Sequence, residues 1–153
     1  MKFTLDANIL INLERRYPRD FFASLWEAIE EGVITRQVCV CEVVYEELGR
    51  GEGELATWVK GVPHFICPIS GDELALVADI SRKHPEWVQG QKNYGDPFLI
   101  AHAKIDGLII VTEEKSKGPG AADRNQKVPN IADEYGVACV DFFAFLRHQG
   151  WKF

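Results

Sequence analysis

Two short runs, Val38-Cys39-Val40-Cys41 and Leu108-Ile109-Ile110-Val111-Thr112, are almost wholly apolar and rich in β-branched side chains. A strand with one wet face alternates polar and apolar residues, so a run without that alternation is covered on both faces, as in the middle of a parallel sheet flanked by helices. Phe3-Thr4-Leu5 reads as a third buried strand, with an edge-type strand near Phe65 to Ile69 and another near Val137 to Val140. Between them the apolar spacing is helical: Ile9, Leu10 and Leu13 in a helix from about Ala7 to Arg15, and Phe21, Phe22, Leu25, Trp26 and Ile29 in one opened by Pro18 and stopped by Gly32. Further helices are expected over about 42–48, 55–60, 72–84, 96–106, 130–135 and 141–148. Strands alternating with helices imply βαβ units with right-handed crossovers. The expected class is therefore α/β: three layers, α/β/α, around a parallel sheet of about five strands with Rossmann-like topology.

At 153 residues such a chain removes about 69% of its unfolded surface from water, enough for one domain spanning 1–153. No apolar run approaches the roughly 18 residues of a membrane span, and Asp6 interrupts what would be the apolar part of a secretory signal, so the expectation is a cytoplasmic chain with no membrane partner. Cys39, Cys41, Cys67 and Cys139 form no C-x-x-C pair and have no histidine at zinc-finger spacing, so they read as plain buried thiols. The net charge of -6 argues against a broad nucleic-acid-binding surface while leaving room for a local basic patch. One such segment is the loop from Lys115 to Lys127, where Lys115, Lys117, Arg124 and Lys127 face Asp123 alone. It reads as mobile and solvated, with contact to RNA phosphates through Lys115, Lys117 and Lys127 as the functional alternative.

In a parallel sheet, ligands bind outside the carboxyl ends of the strands, and that rule filters the 23 acids. Asp6 follows the first strand, Glu47 lies in the helix after the second, Asp96 opens a later helix as its expected N-cap, and Glu114 follows the run at 108–112. Glu47 falls on the inward stripe of its helix with Val43, Val44 and Leu48, whereas Glu42 and Glu46 point away. Taken singly, Asp6 and Asp96 could be ordinary helix caps and Glu113-Glu114 a solvated turn; four acids on one edge point instead to a site. Asp6 and Glu47, among apolar neighbours, should be partly buried, where a carboxylate stays protonated or takes a cation. Oxygen ligands without His or Cys suit Mg²⁺ or Mn²⁺ better than zinc or copper. His102, inside an apolar helix, reads as packed, and no serine or cysteine has the partners of a nucleophile.

These residues resemble the PIN domain, a metal-dependent ribonuclease family that includes many toxins of toxin–antitoxin pairs. Leu5-Asp6-Ala7-Asn8-Ile9-Leu10 is similar to its first acidic motif, Val44-Tyr45-Glu46-Glu47-Leu48 to its helix-borne glutamate, Gly95-Asp96-Pro97-Phe98-Leu99-Ile100-Ala101 to its third acid and Val111-Thr112-Glu113-Glu114 to its fourth. The Trp26 helix, the Thr112-Glu113-Glu114 end and the Lys127-Val128-Pro129 turn look closest to an uncharacterised PIN-like subfamily. The fourth position is usually Asp or Asn in PIN nucleases, and Glu113 beside Glu114 leaves two candidates for it. The resemblance implies hydrolysis of single-stranded RNA with Mg²⁺ or Mn²⁺ as cofactor. Asp6 and Asp96 would be metal ligands, Glu47 a ligand or water-orienting base, and Glu114 a second-site or outer-shell ligand. An antitoxin protein and a second copy of the chain are the implied partners. A non-catalytic PIN-like module that binds RNA or protein is the alternative. A phosphatase-type α/β domain is a third, against which Asn8 counts by replacing the second acid of an Asp-x-Asp.

Overall fold

The computed structural model describes residues 2–49 and 53–153. Its strands are β1 (Phe3–Leu5), β2 (Val38–Cys41), β3 (Ile66–Cys67), β4 (Ile109–Val111) and β5 (Cys139–Val140). They form one sheet in the order β3-β2-β1-β4-β5, parallel throughout. The helices are α1 (Ala7–Arg16), α2 (Ala23–Ile34), α3 (Glu42–Glu47), α4 (Glu54–Gly61), α5 (Gly71–Lys83), α6 (Asp96–Asp106), α7 (Val128–Glu134) and α8 (Phe142–Gln149). This is the three-layer α/β fold expected from the two unalternating runs. Among the described residues no helix is long and apolar enough to cross a membrane.

Register assigns the layers. Phe3 pairs with Val38 and Ile109, and Thr4 with Cys39 and Ile110, so alternation sends Phe3 and Val38 to one face and Thr4 and Cys39 to the other. On the first face Phe145 of α8 meets Phe3 edge-on, ring centroids 5.1 Å apart, and α2 crosses β2. On the second, α6 lies against β2 and β4 with α5 and α7 packed beside it. Leu5, Val40, Ile110, Ile29, Ile100 and Phe145 are fully buried between these layers. Near the end of the chain Phe142 and Phe145 join that core, while Phe143 stays outside.

Both ends of α2 differ from expectation. Gly32 does not stop α2, which continues to Ile34; a Cβ at Gly32 would come within 3.1 Å of Val38 Cγ2 and 3.6 Å of Trp151, so the glycine serves the close approach of helix to strand. Pro18 opens a turn rather than a helix, since the amides of Phe21 and Phe22 donate to its carbonyl and α2 starts only at Ala23. Phe21 is left 81% exposed outside the helix.

The order in which strands are added reverses at β1: β2 and β3 extend to one side of it and β4 and β5 to the other. The carboxyl ends of β1 and β4 thus flank the switch point, where α/β sheets open a crevice.

Candidate active site

Asp6 leaves β1 in extended conformation (φ -73°, ψ 157°) and is the N-cap of α1. Its Oδ1 accepts from the Ala7 amide at 2.8 Å, and its Oδ2 accepts from the Thr112 hydroxyl at 2.8 Å and from Asn8 Nδ2 at 3.2 Å. Asn8 Nδ2 also donates to Thr112 Oγ1 at 3.1 Å, and Asn8 Oδ1 accepts from the Glu113 amide at 3.1 Å. The Asp6–Asn8–Thr112 triangle ties the ends of β1 and β4 together across the switch point. Asn8 and Thr112 were legible only as motif neighbours; a polar residue two after the acid and a threonine closing an apolar strand were their signals.

The neighbouring acids separate in role. Glu113 turns away, its Oε1 accepting from the Phe142 amide at the start of α8 at 3.1 Å. Glu114 turns inward, its amide donating to Thr112 Oγ1 at 3.1 Å and its Oε2 accepting from the Val128 amide at 3.4 Å. Asp96 is not the N-cap of α6: Gly95 holds that place, and Asp96, in the first turn before Pro97, makes no capping bond. Glu47 ends α3 exposed as a residue, because only Val43 and Val44 of that short helix reach the core, but its carboxyl group is desolvated. Its carboxylate lies against the Gly95 backbone: a Cβ built at Gly95 would overlap Glu47 Oε1 and sit 2.9 Å from its Cδ.

Asp6, Glu47, Asp96 and Glu114 together line one cleft of about 360 Å³, with Asn8, Gln91, Asn93 and Tyr94 completing its walls. Burial pushes the Asp6 carboxyl above its usual range against the pull of its three donors. Desolvation first, then the charges of Asp6 and Glu114, raise Glu47 to about 7. Asp96 rises to about 8 from desolvation and the charges of Glu114, Asp6 and Glu47, with Lys127 opposing. Glu114 is raised by desolvation and Asp6, opposed by the Val128 amide and Lys127. Each therefore disfavours its neighbour's charge, the electrostatic condition of a cation site. The donor set, four carboxylates, matches a hard divalent ion. The acids are spread, however: among the described residues, the groups of three ligand atoms within 4.8 Å of one another lie around His102, not here. Asp6 is held in place by its donors, and Glu47 and Glu114 have the longer arms.

A basic groove of about 520 Å³ adjoins the cleft and shares Asn93 with it. Lys117 and Lys127 line it together with Arg124 and Lys92, which donates to the Arg124 carbonyl at 2.9 Å; Lys115 is exposed and does not line it. The segment carrying these residues is pinned rather than free. Asp123 accepts from the Glu86 and Trp87 amides and lies 2.6 Å from His84 Nδ1, and Trp87 Nε1 donates to the Gln126 carbonyl.

Residues 3–153 match the family described as Domain of unknown function (DUF4411). The chain is a member of DUF4411. No curated protein matches its sequence. Among solved structures, this DUF4411 chain is similar to VapBC2 from Rickettsia felis bound to a DNA fragment from their promoter, with a TM-score of 0.57 and 12% identity over 93% of this chain and 99% of the other. It is also similar to FitAB bound to IR36 DNA fragment, with a TM-score of 0.51 and 17% identity over 91% and 94%. The matched chains are PIN-domain proteins, and the DUF4411 chain shares their fold.

Proposed function

We propose that this protein is a PIN-like endoribonuclease that hydrolyses phosphodiester bonds of single-stranded RNA with Mg²⁺ or Mn²⁺, and that it is the toxin of a toxin–antitoxin pair. The observation that carries this reading is the convergence of Asp6, Glu47, Asp96 and Glu114 on one cleft at the switch point of a PIN fold, each with its carboxyl pushed above its usual range. The similarity to the VapBC2 and FitAB chains supports the toxin reading and, with it, a cognate antitoxin partner and a cytoplasmic place of action.

A divalent ion held there would neutralise charge on the scissile phosphate and lower the pKa of an attacking water. Asp6, fixed by Thr112, Asn8 and the Ala7 amide, and Asp96, whose carboxyl meets no hydrogen-bond donor among the described residues, are the residues that would hold it. Glu47 and Glu114, with longer arms and raised pKa, would orient the water or complete the ligand set. Lys127, close enough to act on Asp96 and Glu114, and Lys117 in the adjoining groove would bind the phosphates flanking the cut.

A non-catalytic RNA- or protein-binding module is the second reading, favoured by the spread of the four carboxylates. Incubation with single-stranded RNA and Mn²⁺ separates the two. The wild type should cut, EDTA should stop it, and Asp96→Asn and Asp6→Asn should each be inactive. RNA left intact by the wild type, or cut by Asp96→Asn at the wild-type rate, would overturn the nuclease reading.

A further inference from the structure

On the sheet face opposite Phe3, away from the acidic cleft, β2, β3 and α6 bring Cys39, Cys67 and His102 together. Their ligand atoms lie within 4.8 Å of one another, and Cys39 Sγ stands 3.5 Å from His102 Nε2. Tetrahedral zinc with bonds of about 2.3 Å to sulfur and about 2.0–2.1 Å to nitrogen sets those two atoms roughly 3.5 Å apart. We propose that Cys39, Cys67 and His102 form a second metal site, for zinc, whose fourth position opens towards the amino edge of the sheet.

Two independent observations point into this site. Among the described residues, the buried side-chain polar atoms without a hydrogen-bond partner are Thr4 Oγ1 and His102 Nδ1, and both belong to it. Thr4 pairs with Cys39 across β1 and β2, so its hydroxyl is placed to donate to a Cys39 thiolate. His102, fully buried, has Nδ1 3.1 Å from Asp106 Oδ2 and 3.6 Å from Glu73 Oε1. Neither carboxylate is aligned to accept from Nδ1, but Asp106 is near enough that a small rotation would let it do so and orient the imidazole with Nε2 towards the ion. Loading releases two thiol protons to solvent, and the ion, two thiolates and a neutral imidazole sum to zero charge, which suits a buried place. The sulfur ligands select a borderline-soft ion and reject the hard Mg²⁺ suited to the other edge.

The site also has an entrance. A cavity of about 410 Å³ is lined by Cys39, Cys67 and Asp106 together with Lys2, Arg36 and His64, residues at or just before the starts of strands. A site with three protein ligands and such an opening can take water or a small thiol or imidazole ligand as its fourth. Its sequence signal was invisible because Cys39 and His102 are 63 residues apart and meet only through the crossover that lays α6 on β2.

The test measures metal directly on the full chain, purified reduced and loaded with zinc. About one zinc per chain should remain after desalting, and cobalt in its place should show the sulfur-to-cobalt charge-transfer absorption of a thiolate site. Cys67→Ser and His102→Gln should abolish both, and Asp106→Asn, which leaves the ligands intact, should weaken zinc about 10–100-fold. Should the ligand variants fail to fold, zinc protection of the wild-type thiols from alkylation, reversed by a chelator, reads the same site. Cobalt without the charge-transfer band, thiols alkylated equally with and without zinc, or a Cys39–Cys67 disulfide in the zinc-treated protein would overturn the proposal. Because none of these readouts involves RNA or Mn²⁺, failure here leaves the nuclease reading to stand or fall separately.

Discussion

Asp6 and Asp96 differ in what their carboxylates do. Asp6 accepts three hydrogen bonds, so replacing one oxygen by an amide group sets N–H against a donor, at a cost of about 1–3 kcal/mol. Among the described residues no hydrogen-bond donor reaches the Asp96 carboxyl, so Asp96→Asn breaks no such bond and removes a ligand oxygen and, where the acid is ionised, its charge. Both had been legible as candidate acids, but only their surroundings, brought from Thr112 more than 100 residues away, distinguish them. Gly95 was hidden in the sequence as half of a Gly-Asp pair. Any larger residue there would displace the Glu47 carboxylate, since the added Cβ overlaps Oε1 and lies 3.2 Å from Val43 Cγ1. Gly95→Ala should therefore leave a folded protein by circular dichroism while reducing metal-dependent cleavage at least tenfold; an unimpaired variant would show that Glu47 has no part in the reaction.

At the scale of elements, His84 fastens three of them. It caps the carboxyl end of α5, its Nδ1 meets Asp123 at 2.6 Å and its Nε2 meets Glu134 of α7 at 2.8 Å. Burial alone would lower its pKa, but the hydrogen bonds and charges of Asp123 and Glu134 outweigh that and hold it above the ordinary 6.5. A histidine raised in the folded state gives stability that is complete below the ordinary value and is lost as pH rises through the higher, folded one. The melting temperature of the wild type should exceed that of His84→Gln most at pH 6, and the gap should shrink by pH 9; a constant gap would mean the imidazole acts uncharged. The segment 115–127 reads as mobile in sequence because its basic residues are visible locally, whereas its anchor is 39 residues away. The same reason explains Gly32, whose constraint comes from Val38 and Trp151 rather than from helix termination.

For the molecule as a whole, the central strands were legible because burial on both faces writes an unbroken apolar run, and α6 because Pro97 and Gly107 bracket it. The edges were less so: β3 and β5 have two residues each, too few for any periodicity. The sheet order follows from crossovers that no local pattern encodes, yet it decides which acids meet. The charge layout is equally non-local, with a net charge of -6 that hides a basic groove beside the acidic cleft. If Lys127 binds phosphate, Lys127→Ala should weaken RNA binding for all sequences alike and reduce the slope of log affinity against log salt by about 0.7, because one counterion fewer is released from a single strand. An unchanged slope would remove Lys127 from the RNA path.

The central claim, that four separate elements build one cation site at the switch point, is tested most directly by the melting temperature in EDTA and in Mn²⁺, for wild type and Asp96→Asn. An ion binding only the folded state at a hundredfold excess over its Kd adds about 2.7 kcal/mol, roughly 8 °C for a chain of this size. The wild type should gain a shift of that order, whereas Asp96→Asn should melt at or above the wild type in EDTA and gain little from Mn²⁺. A full Mn²⁺ shift retained by Asp96→Asn, or none in the wild type, would contradict the account.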